Sequence, residues 1–276
     1  MADPPSPLYL ATAIEAVTRA GRTQLMRMGT DLGVSKKGAI DLVTEIDVQI
    51  EREFRATIAD RFPDHVVLGE EFASSSDRDA APRYCWVFDP VDGTTNYAHG
   101  LPIFCSSLAL EIDGEIAVGA VYDPTRKELF TAERGQGAWL NGLPLRVSME
   151  DVLLDSLLVT GFHYGIQRDP EELVSLFREF LTRVRAVRRL GSAALDLCYV
   201  AAGRFDGYWE SKIQPWDVAA GALIVEEAGG RVTTVRGERF RSRAGSVLAT
   251  NGRIHDPMLE VILGFDADAR SRNRTH

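Results

Sequence analysis

Leu10, Ile14, Val17, Leu25 and Met28 recur at helical spacing, which predicts an amphipathic helix over residues 8–28. Ile46, Ile50, Phe54, Ile58 and Phe62 repeat every four residues and predict a second helix ending near Phe62. Thr44, three residues ahead of Asp47, gives that helix a capping box. Two short apolar runs follow, "HVVLGEE" and "YCWVFDP", and each reads as a strand ending in carboxylates. From Phe104 to Val147 apolar stretches alternate with turn signals at Asp113-Gly114, Asp123-Pro124, Gly135 and Asn141-Gly142, the pattern of an antiparallel meander.

The second half changes character. "LLDSLLVTG" reads as a strand, and "DPEELVSLFREFLTRV" has the helical apolar period at Leu173, Leu176, Phe177, Phe180, Leu181 and Val184. "GSAALDLCYVAAG" predicts a small-residue helix, "RFDGYWE" a strand, and "PWDVAAGALIVEEAGG" a helix closed by Gly229. "GRVTTV" and "SVLATN" add strands and "HDPMLEVIL" a last helix, with a tail expected to fray after Asp266. Strand runs with segregated helices indicate an α+β fold, with a soft boundary near residue 150 between an N-terminal lobe (1–150) and a C-terminal lobe (151–276) of one compact unit.

Composition narrows the function. With 45% hydrophobic and 26% charged residues the chain is an ordinary soluble protein, and its net charge of −9 argues against a general affinity for nucleic acid or anionic membrane. It suits cations better. Cys85, Cys105 and Cys198 are odd in number, widely spaced and set in apolar runs, so they read as buried reduced thiols of a cytoplasmic protein. No stretch is apolar enough to span a membrane, and "MADPPSPLYL" lacks the features of a signal peptide.

The carboxylates carry the candidate chemistry. Glu70 and Glu71 follow a strand and Gly69; Asp89 and Asp92 follow another; Asp217 opens a helix after Trp216. Hard divalent cations take oxygen ligands, and Mg²⁺ uses few carboxylates together with water and substrate phosphate. Pro90 stiffens the Asp89–Asp92 turn so that both carboxylates can be held on one side, leaving the Val91 carbonyl free as a further oxygen donor. Gly93 to Asn96 lie where a helix would begin, a ready place for a phosphate. Taken singly each residue has a plainer reading: Asp47 a cap, Glu70-Glu71 a solvated loop, Asp89-Pro90 a turn, Asp217 a first-turn acid facing the helix dipole. Their joint order decides between the two.

"DLVTEID" (Asp41–Asp47), "GEE" (Gly69–Glu71), "DPVDGTTN" (Asp89–Asn96), "GSAALD" (Gly191–Asp196) and "WDVAAG" with "EEAGG" (Trp216–Gly230) occur in that order. Together they resemble the inositol monophosphatase family of the lithium-sensitive, magnesium-dependent phosphatase superfamily, from about residue 8 to about 264. The resemblance implies a five-layered αβαβα sandwich, a homodimer and two to three Mg²⁺ per subunit. It assigns Glu70, Asp89 and the Val91 carbonyl to a first Mg²⁺, Asp89, Asp92 and Asp217 to a second, and Glu70 to a weaker third. Thr94 with Asp47 would orient and deprotonate the attacking water, and the Gly93 and Thr94 amides would hold phosphate oxygens. Gly191, Ser192, Ala193 and Glu210 would face the alcohol, and Lys36, or Lys37 beside it, would lie near the phosphate.

Phosphate monoesters hydrolyse so slowly that their enzymes supply up to roughly 10²¹-fold acceleration. No His or Cys nucleophile stands in these motifs, and a metal removes the need for one by lowering the pKa of water from about 15.7 toward about 7. "DGTTN" with Glu210 favours an inositol-type phosphate monoester. Fructose 1,6-bisphosphate, histidinol phosphate and nucleotide phosphates such as NADP are the alternatives within the superfamily. From a different class, the chain could chiefly be an interaction partner of the transcription machinery. The basic run Arg183, Arg185, Arg188 and Arg189 reads most simply as a solvated helix end or a dimer contact.

Overall fold

The first helix, α1 (Pro7–Arg27), forms where the apolar period puts it but buries a different face. In the computed structural model, which describes residues 7–30, 35–36, 42–72, 82–167 and 170–273, the buried side carries Ala13, Ala16, Val17, Ala20, Gly21 and Gln24. Leu25 is exposed, and Leu10, Ile14 and Met28 are only partly covered. Close approach is the reason. A Cβ on Gly21 would lie 2.5 Å from the Tyr122 ring, so only small residues let the helix lie directly on the sheet beneath it. A short ribbon follows, β1 (Ser35–Lys36) antiparallel to β2 (Leu42–Val43). α2 (Glu45–Arg61) buries Ile46, Ile50, Phe54 and Ile58 as expected and carries the Thr44–Asp47 capping box.

The larger sheet runs in chain order: β3 (Val66–Gly69), β4 (Tyr84–Asp92), β5 (Cys105–Ile112), β6 (Glu115–Asp123), β7 (Glu128–Glu133), β8 (Gly137–Leu140) and β9 (Leu143–Pro144). β3 pairs parallel to β4, and every later pair is antiparallel, so the expected meander is present. Between β4 and β5 stands a single turn of helix, α3 (Thr94–Ala98). Beyond β9 come β10 (Leu157–Thr160), α4 (Glu171–Leu181), β11 (Ala186–Arg188), α5 (Ala193–Ala201) and β12 (Gly207–Ser211). α6 (Pro215–Glu227), β13 (Arg231–Thr233), β14 (Ser246–Thr250) and α7 (His255–Asn273) complete the chain. The second sheet has the order β11-β10-β12-β14-β13, with β10 parallel to both its neighbours.

Two expectations need correction. The basic run from Arg183 to Arg189 is not a helix end throughout: Ala186–Arg188 is an edge strand, because β10 offers it a parallel partner. The last helix continues past Asp266 to Asn273.

Three apolar clusters define the layers. Ala13, Val17, Phe54, Trp86 and Phe88 join α1 and α2 to one face of the large sheet. Leu197, Leu223, Ile224, Phe130 and Tyr208 fill the space between the sheets, around α5 and α6. Phe180, Trp209, Leu248 and Met258 join α4 and α7 to the outer face of the second sheet. The order is αβαβα, as expected. Cys85, Cys105 and Cys198 are all free and buried. No helix among the described residues is long and apolar enough to cross a membrane.

Candidate active site

Asp89 and Asp92 are three apart, so in a regular strand they would face opposite sides of the sheet. A β-bulge brings them together. β4 pairs with β5 at Asp89↔Ser107 and again at Asp92↔Cys105, leaving Pro90 and Val91 opposite the single residue Ser106. Pro90 has no N–H to give a ladder, which suits it to a bulge. Its carbonyl accepts from Gln24 Nε2 (2.8 Å) and Ser106 Oγ (2.7 Å), so the buried face of α1 pins the bulge. The Val91 N–H donates to Asp89 Oδ1 (2.9 Å).

Gly93 then turns the chain with φ 94°, and a Cβ there would meet the Ile103 carbonyl at 2.9 Å, so only glycine fits. In α3, the Thr94 hydroxyl donates to the Val91 carbonyl (2.9 Å), so that carbonyl is not free as the sequence suggested, although its second lone pair remains. Asn96 Nδ2 donates to the carbonyls of Ile103 (2.8 Å) and Leu190 (2.9 Å), fastening α3 to the loop before α5.

Three of the acids cap helices, and the three helices bring them to one place. Asp92 accepts at Oδ2 from Ser192 Oγ (2.6 Å) and Ala194 N (2.8 Å), and at Oδ1 from Ala193 N (3.3 Å), so it caps α5 from a hundred residues away. Asp217 caps α6 through Gln214 N (3.0 Å), and Asp47 caps α2 through Thr44 N (2.9 Å). Negative charge is favourable at each of these N-termini. The plain readings of Asp47 and Asp217 are therefore correct as geometry, yet oxygens of Asp89, Asp92 and Asp217 also lie within 4.8 Å of one another.

Glu70 comes off β3 into the same cavity, its N–H donating to the Phe88 carbonyl (3.3 Å). Its position depends on Glu51, which sequence reasoning missed. Glu51 is fully buried on α2, pairs with Arg55 (2.8 Å) and accepts the Glu71 N–H (2.7 Å). A Cβ at position 69 would sit 2.3 Å from the Glu51 carboxyl carbon, which is why Gly69 precedes Glu70. The available signal was an acid on the flank of an otherwise apolar helix face.

The cavity has a volume of about 610 Å³ and is lined by Glu70, Asp89, Val91, Asp92, Gly93, Thr94, Gly191, Ser192, Ala193, Glu210 and Asp217. Of the remaining expected residues, Asp47 is fully buried, near enough to Asp89 to push its carboxyl up, and Lys36 lies on β1 with its side chain outside the described residues, as is Lys37. Burial, then the charges of Glu70, Asp92 and Asp217, hold Asp89 well above the carboxylate range; burial, then Asp92 and Glu70, does the same to Asp217. Asp92 is raised by burial but eased by its donors at α5. Carboxylates this close cannot all ionise unaided. An all-oxygen set of this charge fits a hard divalent cation.

Glu210, also in the cavity lining, accepts from the Tyr208 hydroxyl (2.6 Å) and is pushed up to about 7, mainly by burial. It lies against bare backbone, since a Cβ on Gly161 would be 1.8 Å from Glu210 Oε2. Asp196, which had no role in the sequence reading, lines the cavity too, as does Arg189, which the sequence placed in a solvated or dimer-facing basic run. Arg189 stands over the Phe162 ring at 6.0 Å, while Arg183 and Arg185 pair with Glu179 (2.7 Å) and Asp155 (2.9 Å).

Comparison with known proteins gives the family and the fold. Residues 8–263 match the model of the inositol monophosphatase family. An inositol-1-monophosphatase of Rhizobium meliloti (strain 1021) is 43% identical over 256 residues, 92% of this chain and 95% of that one. The Nus factor SuhB of Salmonella typhimurium is 40% identical over 265 residues, 95% of this chain and 98% of that one. The solved inositol monophosphatase of Anabaena (Nostoc) sp. PCC 7120 superposes with a TM-score of 0.83 at 41% identity, covering 93% of this chain and 96% of that one. With a family match over nearly the whole chain and relatives this similar over nearly their full length, the chain belongs to the inositol monophosphatase family.

Proposed function

We propose that the chain is a Mg²⁺-dependent phosphate monoester hydrolase whose preferred substrate is an inositol monophosphate. The observation that carries the reading is the meeting of Asp89, Asp92 and Asp217 oxygens within 4.8 Å at one end of a cavity large enough for a sugar-sized alcohol. Glu70, Asp89, the Val91 carbonyl, Asp92 and Asp217 would hold two to three Mg²⁺. When bound, the ions neutralise phosphate charge and lower the pKa of water.

The chain's own residues do the rest. Asp47 and Thr94 orient the attacking water, and Asp47 takes up its proton; both are buried, which fixes their directions. The amides of Gly93 and Thr94 hold phosphate oxygens, with Lys36 near them. Gly191, Ser192, Ala193 and Glu210 receive the alcohol. Because Asp92 also caps α5, the helix that carries the alcohol contacts is rigidly tied to the carboxylates, and such positioning supplies much of the rate.

The homodimer is proposed on the family resemblance, and sedimentation of the purified chain tests it. A role purely as an interaction partner is not favoured, because the SuhB relative is of the same family and the Asp89, Asp92 and Asp217 oxygens meet here. Phosphate release from inositol 1-phosphate, fructose 1,6-bisphosphate, adenosine 3′,5′-bisphosphate, histidinol phosphate and NADP tests the substrate. Inositol 1-phosphate should have the highest kcat/KM, and a higher value for a nucleotide or bisphosphate would replace it.

A further inference from the structure

Asp196, like Gln24 and Tyr199, carries a buried polar atom without a hydrogen-bond partner in the fold, and unlike those two it borders the cavity. It sits one turn into α5, is 1% exposed, and its Oδ1 is buried without a hydrogen-bond partner. A buried carboxyl left in that state costs stability, and native structures keep such groups where something outside the fold completes them. The cavity, whose wall includes Asp196, is where a bound molecule can reach this side chain. Glu210 has a donor in Tyr208, and Asp92 has donors in Ser192, Ala193 and Ala194, whereas Asp196 Oδ1 has none in the fold. Arg189 and Glu210 both act electrostatically on Asp196, so the three share the alcohol end of the cavity.

We propose that Asp196 is a specificity residue that hydrogen-bonds a hydroxyl of the leaving alcohol, and that with Glu210 it selects a polyol monophosphate over an alcohol without hydroxyls. The inference rests on the phosphatase reading above and deepens it. One hydroxyl is bound by Glu210 and a second by Asp196, so the alcohol must present two hydroxyls to this wall. A site built to bond a hydroxyl rejects the analogue lacking it, because its own buried group is then left unpaired.

The test compares kcat/KM for inositol 1-phosphate and p-nitrophenyl phosphate, which has no alcohol hydroxyl, in the wild type, Asp196→Asn and Asp196→Ala, with Mg²⁺ present. The ratio of the two values should fall at least about tenfold in Asp196→Ala, through a higher KM for inositol 1-phosphate, and by less in Asp196→Asn, whose side-chain oxygen can still accept from a hydroxyl. Asp196→Ala should melt no lower than the wild type, because it removes an unpaired buried carboxyl, whereas a merely structural carboxyl would lower the melting temperature when lost. An unchanged ratio, or equal losses on both substrates, overturns the assignment of Asp196 while leaving the phosphatase reading intact. A wild type that hydrolyses neither ester overturns both, and one that hydrolyses only p-nitrophenyl phosphate overturns the polyol assignment alone.

Discussion

Asp92→Asn separates the two duties of one side chain. As a cap, Asp92 takes two short hydrogen bonds at Oδ2 and one of 3.3 Å at Oδ1. Asn can keep its oxygen at the Oδ2 position and lose only the longest bond, a cost of about 1 kcal/mol. Against this stands relief of repulsion with Asp89 and Asp217, which act on the same carboxylate cluster. Without metal the two effects offset, and the variant should melt close to the wild type. With Mg²⁺ at about a hundred times its Kd, the wild type gains about 2.7 kcal/mol. At roughly 2 °C per kcal/mol for a chain of this size, that is a rise of about 5 °C. The variant, with one charged ligand fewer, should rise by less than about 1 °C. Thermal melts in EDTA and in MgCl₂ read both numbers, and phosphate release should drop by several orders of magnitude in parallel. Equal Mg²⁺ shifts in the two proteins, or a variant that melts far lower in EDTA, would refute the division of labour.

Three further expectations follow from the same geometry. Asp47→Asn should change stability by no more than about 1 kcal/mol, because Asn caps nearly as well as Asp, while turnover falls at least about a hundredfold; Thr94→Ala should match it, the double variant should be little worse, and additive losses would reject the pair. Glu210 titrates at about 7 in the fold, above the ordinary carboxylate value, so the folded chain holds an extra proton between the two and stability falls as pH rises across that window. Glu210→Gln should therefore raise the melting temperature in EDTA at pH values above about 7 and not below about 4, and a pH-independent gain would contradict this. Gly161→Ala puts a methyl 1.8 Å from Glu210 Oε2 and should lower the ratio of kcat/KM for inositol 1-phosphate over p-nitrophenyl phosphate about tenfold with little loss of stability; an unchanged ratio would mean that Glu210 does not meet the alcohol.

Much of the architecture was legible because periodicity and turns report directly on it. The helices after Thr44 and Gln214, the meander, and the glycine that closes α6 all stand where the residues put them. The buried face of α1 was not legible, since alanines and a glycine chosen for close approach leave little hydrophobic signal, and the larger Leu25 points to solvent. β11 was hidden by arginines whose charges pair or stack outside the strand's ladder. At the site, the sequence named the acids but could not show how Asp89 and Asp92 share a side; the bulge opposite Ser106 depends on a pairing partner absent from the local sequence. Glu51 and Asp196 escaped because burial of a charge is a tertiary fact: the first is explained by the Arg55 pair and the Glu71 amide, the second by the cavity it borders.

The central claim is that the Asp89–Asp92–Asp217 cluster works by holding Mg²⁺ for phosphate ester hydrolysis. Its most direct test is phosphate release from inositol 1-phosphate by the purified full chain in MgCl₂, after EDTA, and after MgCl₂ is restored. Release should stop with EDTA and return with Mg²⁺; release that continues unchanged in EDTA would contradict the account.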